Sequence, residues 1–252
     1  MIAALAGQVL FATYVATTYG SAAIRGEPEA WSQTTLKAYV AGDALGNLVF
    51  AGHMVFAVTI SLMGALQLVP GLRRRAPAVH RWNGRMFLLS GLILAIGGLH
   101  LVWVRGATMG LSAALGVSLN AVMMLAFGAL ALRAALSGNY AAHGRWALRL
   151  FVVAGGVWFQ RLGYMAWVIL NQGPVGMTQN LDGPFDMFLS FGAYLVPLAL
   201  LELYMRARDR AGTRGKLIVA GVVVACTLLT LLGIGGAAAF MWGPRMAQAL
   251  AA

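Results

Sequence analysis

Acidic side chains are scarce in this 252-residue chain, with 7 Asp and Glu against 18 Lys and Arg. Lysine occurs only at Lys37 and Lys216. Cysteine occurs once, as Cys226, which leaves no intramolecular disulfide, no CxxC pair and no covalent c-type haem attachment. Any cofactor must be held by other ligands. Charged residues make up 10% of the chain and hydrophobic residues 60%, a balance that excludes a soluble domain. No H-E-x-x-H, G-x-S-x-G or P-loop pattern is present. Neither lysine falls in an apolar run, so there is no Schiff-base candidate of the rhodopsin kind. No carboxylate sits deep in an apolar run, as an ion-pumping relay would require.

What fills the chain instead is apolar sequence. A run of about 20 apolar residues crosses a hydrocarbon core about 30 Å thick. Seven such runs occur, at 1–22, 46–69, 84–104, 111–136, 147–170, 186–205 and 217–240. They predict an all-α polytopic integral membrane bundle of seven transmembrane helices, a single transmembrane domain over 1–252. The first run has no basic leader and no small-residue cleavage pattern, and is read as a retained span. With the N-terminus inside, the cytoplasmic loops hold Arg73, Arg74, Arg75, Arg81, Arg85, Arg133, Arg145, Arg149, Arg206, Arg208, Arg210, Arg214 and Lys216, 13 of the 18 basic residues. The other face has Arg25, Lys37, Arg105 and Arg245 beside Glu27, Glu29, Asp43, Asp182 and Asp186. This bias predicts an N-in, C-out protein of the bacterial inner membrane. The net charge of +11 then belongs to topology and lipid headgroups, and nucleic acid is not an expected partner.

The longest external connection runs from Arg25 to Leu45. Its Trp31, Lys37 and Tyr39 are expected in the membrane interface on a short amphipathic helix. The second, "NQGPVGMTQNLDGPFD", reads as an ordered turn region or lid. In the third run, Gly84, Gly91, Ala95 and Gly98 form a small-residue stripe where a neighbouring helix approaches closely. Gly235, Gly236 and Ala237 to Ala239 suit packing within the chain or against a partner subunit or second copy.

Four histidines are present, and each stands near a membrane boundary. His80 and His143 precede the third and fifth runs on the cytoplasmic side; His53 and His100 lie near the external ends of the second and third. His80-Arg81-Trp82-x-x-Arg85 and His143-x-Arg145-Trp146-x-x-Arg149 form a short internal repeat. Two readings of it stand. In one, His80 and His143 are axial ligands of one b haem, with Arg81, Arg85, Arg145 and Arg149 on its propionates or on phosphates. In the other, His, Arg and Trp anchor helices at the headgroup layer. A two-haem wire is opposed by geometry: His80 and His100 are 20 positions apart on one helix, about 30 Å at 1.5 Å per residue and about 200° apart in azimuth.

Arg161, in "GGVWFQRLGYMAW", is a costly residue within an apolar run. It is expected to meet His53, Gln160, Asp43, Asp182 or Asp186. With His53 it reads as a buried polar site for a quinone carbonyl or an anionic headgroup, the alternative being a structural Arg–Asp bond. Asn120, Ser118 and Ser112 are expected in interhelical hydrogen bonds, and Glu202 in a pair with an arginine of the neighbouring loops.

The stretch "GHMVFAVTISLMGALQLVPGLRRRAPAVHRWNGRMFLLSG", with "HGRWALRLF" and "FQRLGYMAW", resembles a bacterial membrane family catalogued as domain of unknown function 2306. The matching positions are His53; Gly64 with Gln67 and Pro70; Arg73; His80 with Arg81, Gly84 and Arg85; His143 with Arg145 and Trp146; and Arg161. The resemblance covers about residues 46 to 165 and implies a membrane protein without specifying an activity. More loosely, "HRWNGR" is similar to the His-x-Trp-x-Gly opening of a cytochrome b561 helix, although the fourth run has no His. The residues therefore predict a membrane protein with a polar intramembrane site for one b haem or a quinone. The competing class is a non-enzymatic subunit, assembly factor or lipid-binding scaffold.

Overall fold

The computed structural model describes residues 2–251, with the side chains of all but Ile2 and Pro70. Met1, which heads the first predicted run, and Ala252 lie outside the described residues. The order is α1 (Ile2–Arg25), a 3-10 helix (Pro28–Gln33), α2 (Ala44–Gln67), α3 (Pro70–Arg75), α4 (Pro77–Trp103), α5 (Leu111–Leu136), α6 (Tyr140–Ala154), α7 (Gly156–Leu170), α8 (Pro184–Arg210), α9 (Thr213–Ala237), a π-helical turn (Ala238–Trp242) and α10 (Gly243–Ala251). No strand occurs among the described residues. Five helices are long and apolar enough to cross a membrane: α2, α4, α5, α8, and α9 with its continuation to Ala251. The protein is thus an all-helical membrane bundle with lipid against its outer faces. α1 has 24 residues, but Gln8, Thr13, Tyr14, Thr17, Thr18 and Tyr19 interrupt its apolar character.

Two predicted elements take a different form. The run 147–170 is not one helix. It comprises the second half of α6 and the whole of α7, which meet at a turn on Gly155. Gly155–Gly156 supplies little helix propensity, and the Asn120 amide of α5 takes the Val153 carbonyl at 3.0 Å, one of the carbonyls a helix end leaves unpaired. The external connection is not an interfacial helix either. Trp31 turns inward on a single 3-10 stretch, is buried, and donates to the Tyr19 carbonyl at 2.9 Å.

Two cores result. In one, α2, α4, α5 and α6 enclose Ile60, Phe87, Met124, Leu150 and Val153. α2 lies along α4, α4 along α5 and α5 along α6, so α4 and α6 both pack against α5. The other core surrounds α1: Phe11, Tyr14, Tyr19, Phe50, Trp158 and the fully buried Trp242. The π-helical turn carries Trp242 onto Phe11 and Tyr14, at ring separations of 5.6 and 6.0 Å. At the α2 end of this core Arg105 is buried. It donates to Asn47 Oδ1 (2.6 Å) and the Ala38 carbonyl (3.2 Å), with Asp43 at 3.7 Å, and so ties the long connection to the bundle.

Small residues set the interhelical distances, because lipid supplies no hydrophobic force between helices. The stripe predicted on α4 packs as expected: Gly91, Ala95 and Gly98 are buried, with Ile60 and His53 of α2 facing Gly91 and Gly98. A Cβ on Gly116 would run into the Ser190 backbone carbonyl, and one on Gly233 would lie 2.7 Å from the Leu162 carbonyl, whereas Gly221 faces open space. Gly116→Ala and Gly233→Ala should therefore each cost about 1–3 kcal/mol by overpacking, while Gly221→Ala should leave stability unchanged or raised. Thermal unfolding in mild detergent measures this; equal behaviour of the three variants would contradict close backbone approach at the first two.

Candidate functional site

Four of the motif positions singled out along the sequence, Gly64, Gln67, His80 and Gly84, come together where the end of α2 meets the start of α4. Gln67, the last residue of α2, donates from Nε2 to the His80 carbonyl at 2.9 Å. Its amide lies over Gly84, where a Cβ would come within 3.0 Å of Nε2. Asn83, one turn on, is buried and donates to the Met63 carbonyl at 2.8 Å. Gly64, one turn before Gln67, leaves room for two rings: a Cβ there would meet Phe87 at 2.8 Å and Phe151 at 3.1 Å. The Gly-x-x-Gln spacing thus provides a shelf for two aromatics and a clamp on the His80 turn. α3, beginning at Pro70, bridges the two helices and places Arg73 near enough to His80 to act on it electrostatically.

His80 and His143 hold equivalent positions, each the fourth residue of its helix. Their backbone N–H groups make the first helical bonds, to Ala76 (3.1 Å) and Asn139 (2.9 Å). The two imidazoles are close enough to interact electrostatically. His143 Nδ1 lies 2.9 Å from the Ala131 carbonyl; an N–H there donates, which leaves Nε2 with a free lone pair, the tautomer a metal ligand needs. His80 Nδ1 is buried and has no hydrogen-bond partner among the described residues. Phe87 stands about two turns beyond His80, and Phe151 about two turns beyond His143. Past these rings is a cavity of about 10 Å³, room for one water, bordered by Gln8 and Ser61.

The four arginines of the repeat do not gather around this pair. Arg149 makes a two-pronged pair with Glu202 of α8 (2.6 and 3.0 Å) and lies 4.5 Å over Trp146. Arg145 pairs with Asp209 at 2.6 Å. Arg81 and Arg85 are exposed, Arg85 being 5.6 Å over Trp82. Both copies stack the arginine on the tryptophan three residues before it. The second copy has one more residue between His and Trp, so its Trp–Arg face is turned about 100°, toward α5 and α8. The Glu202 pair expected from the sequence forms, as do the bonds of Asn120 and Ser118, the latter accepting from Trp103 Nε1 at 2.8 Å.

Arg161 meets none of its expected partners. It folds back along α7 to donate to the Val157 carbonyl at 3.1 Å and lies 5.4 Å over the Phe11 ring. Asp43 faces Arg105, and Asp186 accepts from the Thr178 and Gly183 N–H groups, closing the 171–183 loop. His53 packs on Gly97 and Gly98, with Nδ1 unpartnered among the described residues. Arg105 and Asn83 carry structural weight that their place in a charge or motif count did not reveal. The signal for Arg105 was the "GDALGN" turn that receives it.

The family described as "Predicted membrane protein (DUF2306)" matches residues 50–205, and the chain belongs to it. The matched segment contains the Gln67–His80 clamp, His143, both partners of the Arg149–Glu202 pair and Arg161. No curated protein and no solved structure matches the chain, and the looser likeness to a cytochrome b561 helix finds no support there.

Removing one partner of a part-buried ion pair leaves an uncompensated charge. Arg149→Leu and Glu202→Leu should each lower the unfolding temperature in detergent. The double variant should regain part of the loss, since it leaves neither charge alone. A double variant less stable than either single would mean that the two side chains act through other contacts.

Proposed function

We propose that this is a seven-span, N-in protein of the bacterial inner membrane that holds one b-type haem at its arginine-rich end, between His80 and His143. On this reading α1 and the α6–α7 pair supply the two crossings beyond the five long apolar helices. The supporting observation is the paired imidazoles themselves: equivalent positions on two helices that both pack against α5, and a backbone carbonyl that fixes the tautomer of one of them. The donor set fits, since two imidazoles suffice for a six-coordinate haem iron. A three-ligand metal site is not the alternative, for no group of three His, Cys, Asp or Glu able to hold a metal occurs among the described residues. When bound, haem supplies one-electron chemistry. His143, anchored through Nδ1, presents Nε2; Gln67 positions the His80 turn; Phe87 and Phe151 shield the pair from the bundle interior. The paired Arg145 and Arg149 are occupied by α8 and give no support to a propionate clamp.

A second reading has its own observation. Arg161 points its guanidinium back into the membrane rather than out along α7, and it has no carboxylate partner among the described residues. A cation held at that depth suits an acceptor delivered through the lipid, such as a quinone carbonyl. The remaining class is a non-enzymatic subunit, assembly factor or lipid scaffold in which the histidines serve packing.

The optical spectrum of the purified protein with and without dithionite separates these. A Soret and an α band are expected, lost in His80→Ala and in His143→Ala and kept in His53→Ala. Protein made with ample haem that shows no bands would sink the haem reading and favour the scaffold. Lipid extracts test the second reading: quinone should accompany the wild-type chain and be lost from Arg161→Leu. Equal quinone in both would reject it.

A further inference from the structure

The two copies of the His/Arg/Trp repeat treat their arginines in opposite ways. In the α6 copy, Arg145 and Arg149 are neutralised by Asp209 and Glu202. In the α4 copy, Arg81 and Arg85 have no acidic partner among the described residues, and neither do the exposed Arg73, Arg74 and Arg75 of α3. Five guanidiniums therefore gather on one hairpin with no acidic partner among the described residues.

Their position along α4 identifies what does. Arg81, Trp82 and Arg85 lead into a row of exposed apolar side chains, Leu89, Leu92 and Ile96. From Arg85 to Ile96 is 11 residues, about 16 Å of helix rise, which is about half of a 30 Å hydrocarbon core. Trp82 and Trp103, 62% and 55% exposed, mark the two ends of the same helix, as aromatic belts do. An acyl chain lying along this row ends with its phosphate at Arg85 and Arg81, with α3 on the adjoining turn. We propose that the α3–α4 hairpin is a binding site for an anionic phospholipid, its phosphate held by Arg81 and Arg85 and its chain laid along Leu89, Leu92 and Ile96. A partner protein with an acidic face would match the charge but would not explain why the charges end an exposed apolar row one leaflet long.

The test uses the full chain purified in mild detergent. Phosphatidylglycerol and phosphatidylcholine of equal chain length are titrated against it, and bound lipid is counted by native mass spectrometry. Wild type should take phosphatidylglycerol in preference to phosphatidylcholine. Arg81→Gln/Arg85→Gln should bind phosphatidylglycerol about 30-fold more weakly, the joint effect of two headgroup contacts. Arg206→Gln/Arg210→Gln, which removes two exposed arginines of α8, should bind as wild type does. Equal loss in both double variants would reduce the effect to net charge and overturn the site. So would equal uptake of the two lipids, or wild-type binding by Arg81→Gln/Arg85→Gln. Displacement of the lipid by an acidic peptide but not by phosphatidylglycerol vesicles would point to a protein partner instead.

Discussion

The amide of Gln67 ties the first turn of α4 to the end of α2, and much of the bundle follows from that. It reaches across from the end of α2 to the His80 carbonyl and rests on Gly84, where a Cβ would come within 3.0 Å of the amide nitrogen. In a hydrocarbon environment such a bond is hard to exchange for one with water. It therefore sets both the height and the rotation of α4 against α2. The buried stripe of Gly91, Ala95 and Gly98 then meets α2, and the exposed stripe of Leu89, Leu92 and Ile96 meets lipid. The Asn83 bond to Met63 repeats the same device one turn later. His80 gains its place from its neighbours' backbone, while its own ring keeps Nδ1 uncommitted.

Much of this was legible in the sequence. Apolar run lengths located the helices, the small-residue stripe on α4 named its packing face, and Glu202 could be assigned to an arginine because an acid near a helix end in so basic a chain has few other partners. His80 and His143 were expected just before the starts of their runs, and each is the fourth residue of its helix. Three things were hidden for physical reasons. "VVAGGVWF" has the composition of a packing stripe, so nothing local showed that the helix stops at Gly155. Arg105 looked like one more charge in a topology count, because burial depends on Asp43 and Asn47 reaching it from 58 or more residues away in sequence. Arg161 had several acids within plausible depth, and only the three-dimensional arrangement shows each already engaged by the 171–183 loop or by Arg105.

The internal repeat also shows how little sequence change redirects a charged face. One extra residue between His143 and Trp146 leaves the histidines equivalent but rotates everything after them. The α6 copy then stitches α8 to the bundle, through Arg149 to Glu202 and Arg145 to Asp209, while the α4 copy keeps its arginines on the outer surface. Two similar short motifs thus end in different places, one bracing α8 and the other facing outward.

The turn at Gly155 bears on how the protein is built as it leaves the ribosome. At 15 residues each, α6 and α7 are about 22 Å long, too short to cross a bilayer alone. Joined, they expose a carbonyl at the join that hydrocarbon cannot satisfy. The group that satisfies it, the Asn120 amide, belongs to α5, which is synthesised and available first. The order of the helices along the chain is therefore also an order of dependence: the α6–α7 join is completed only against a helix already made.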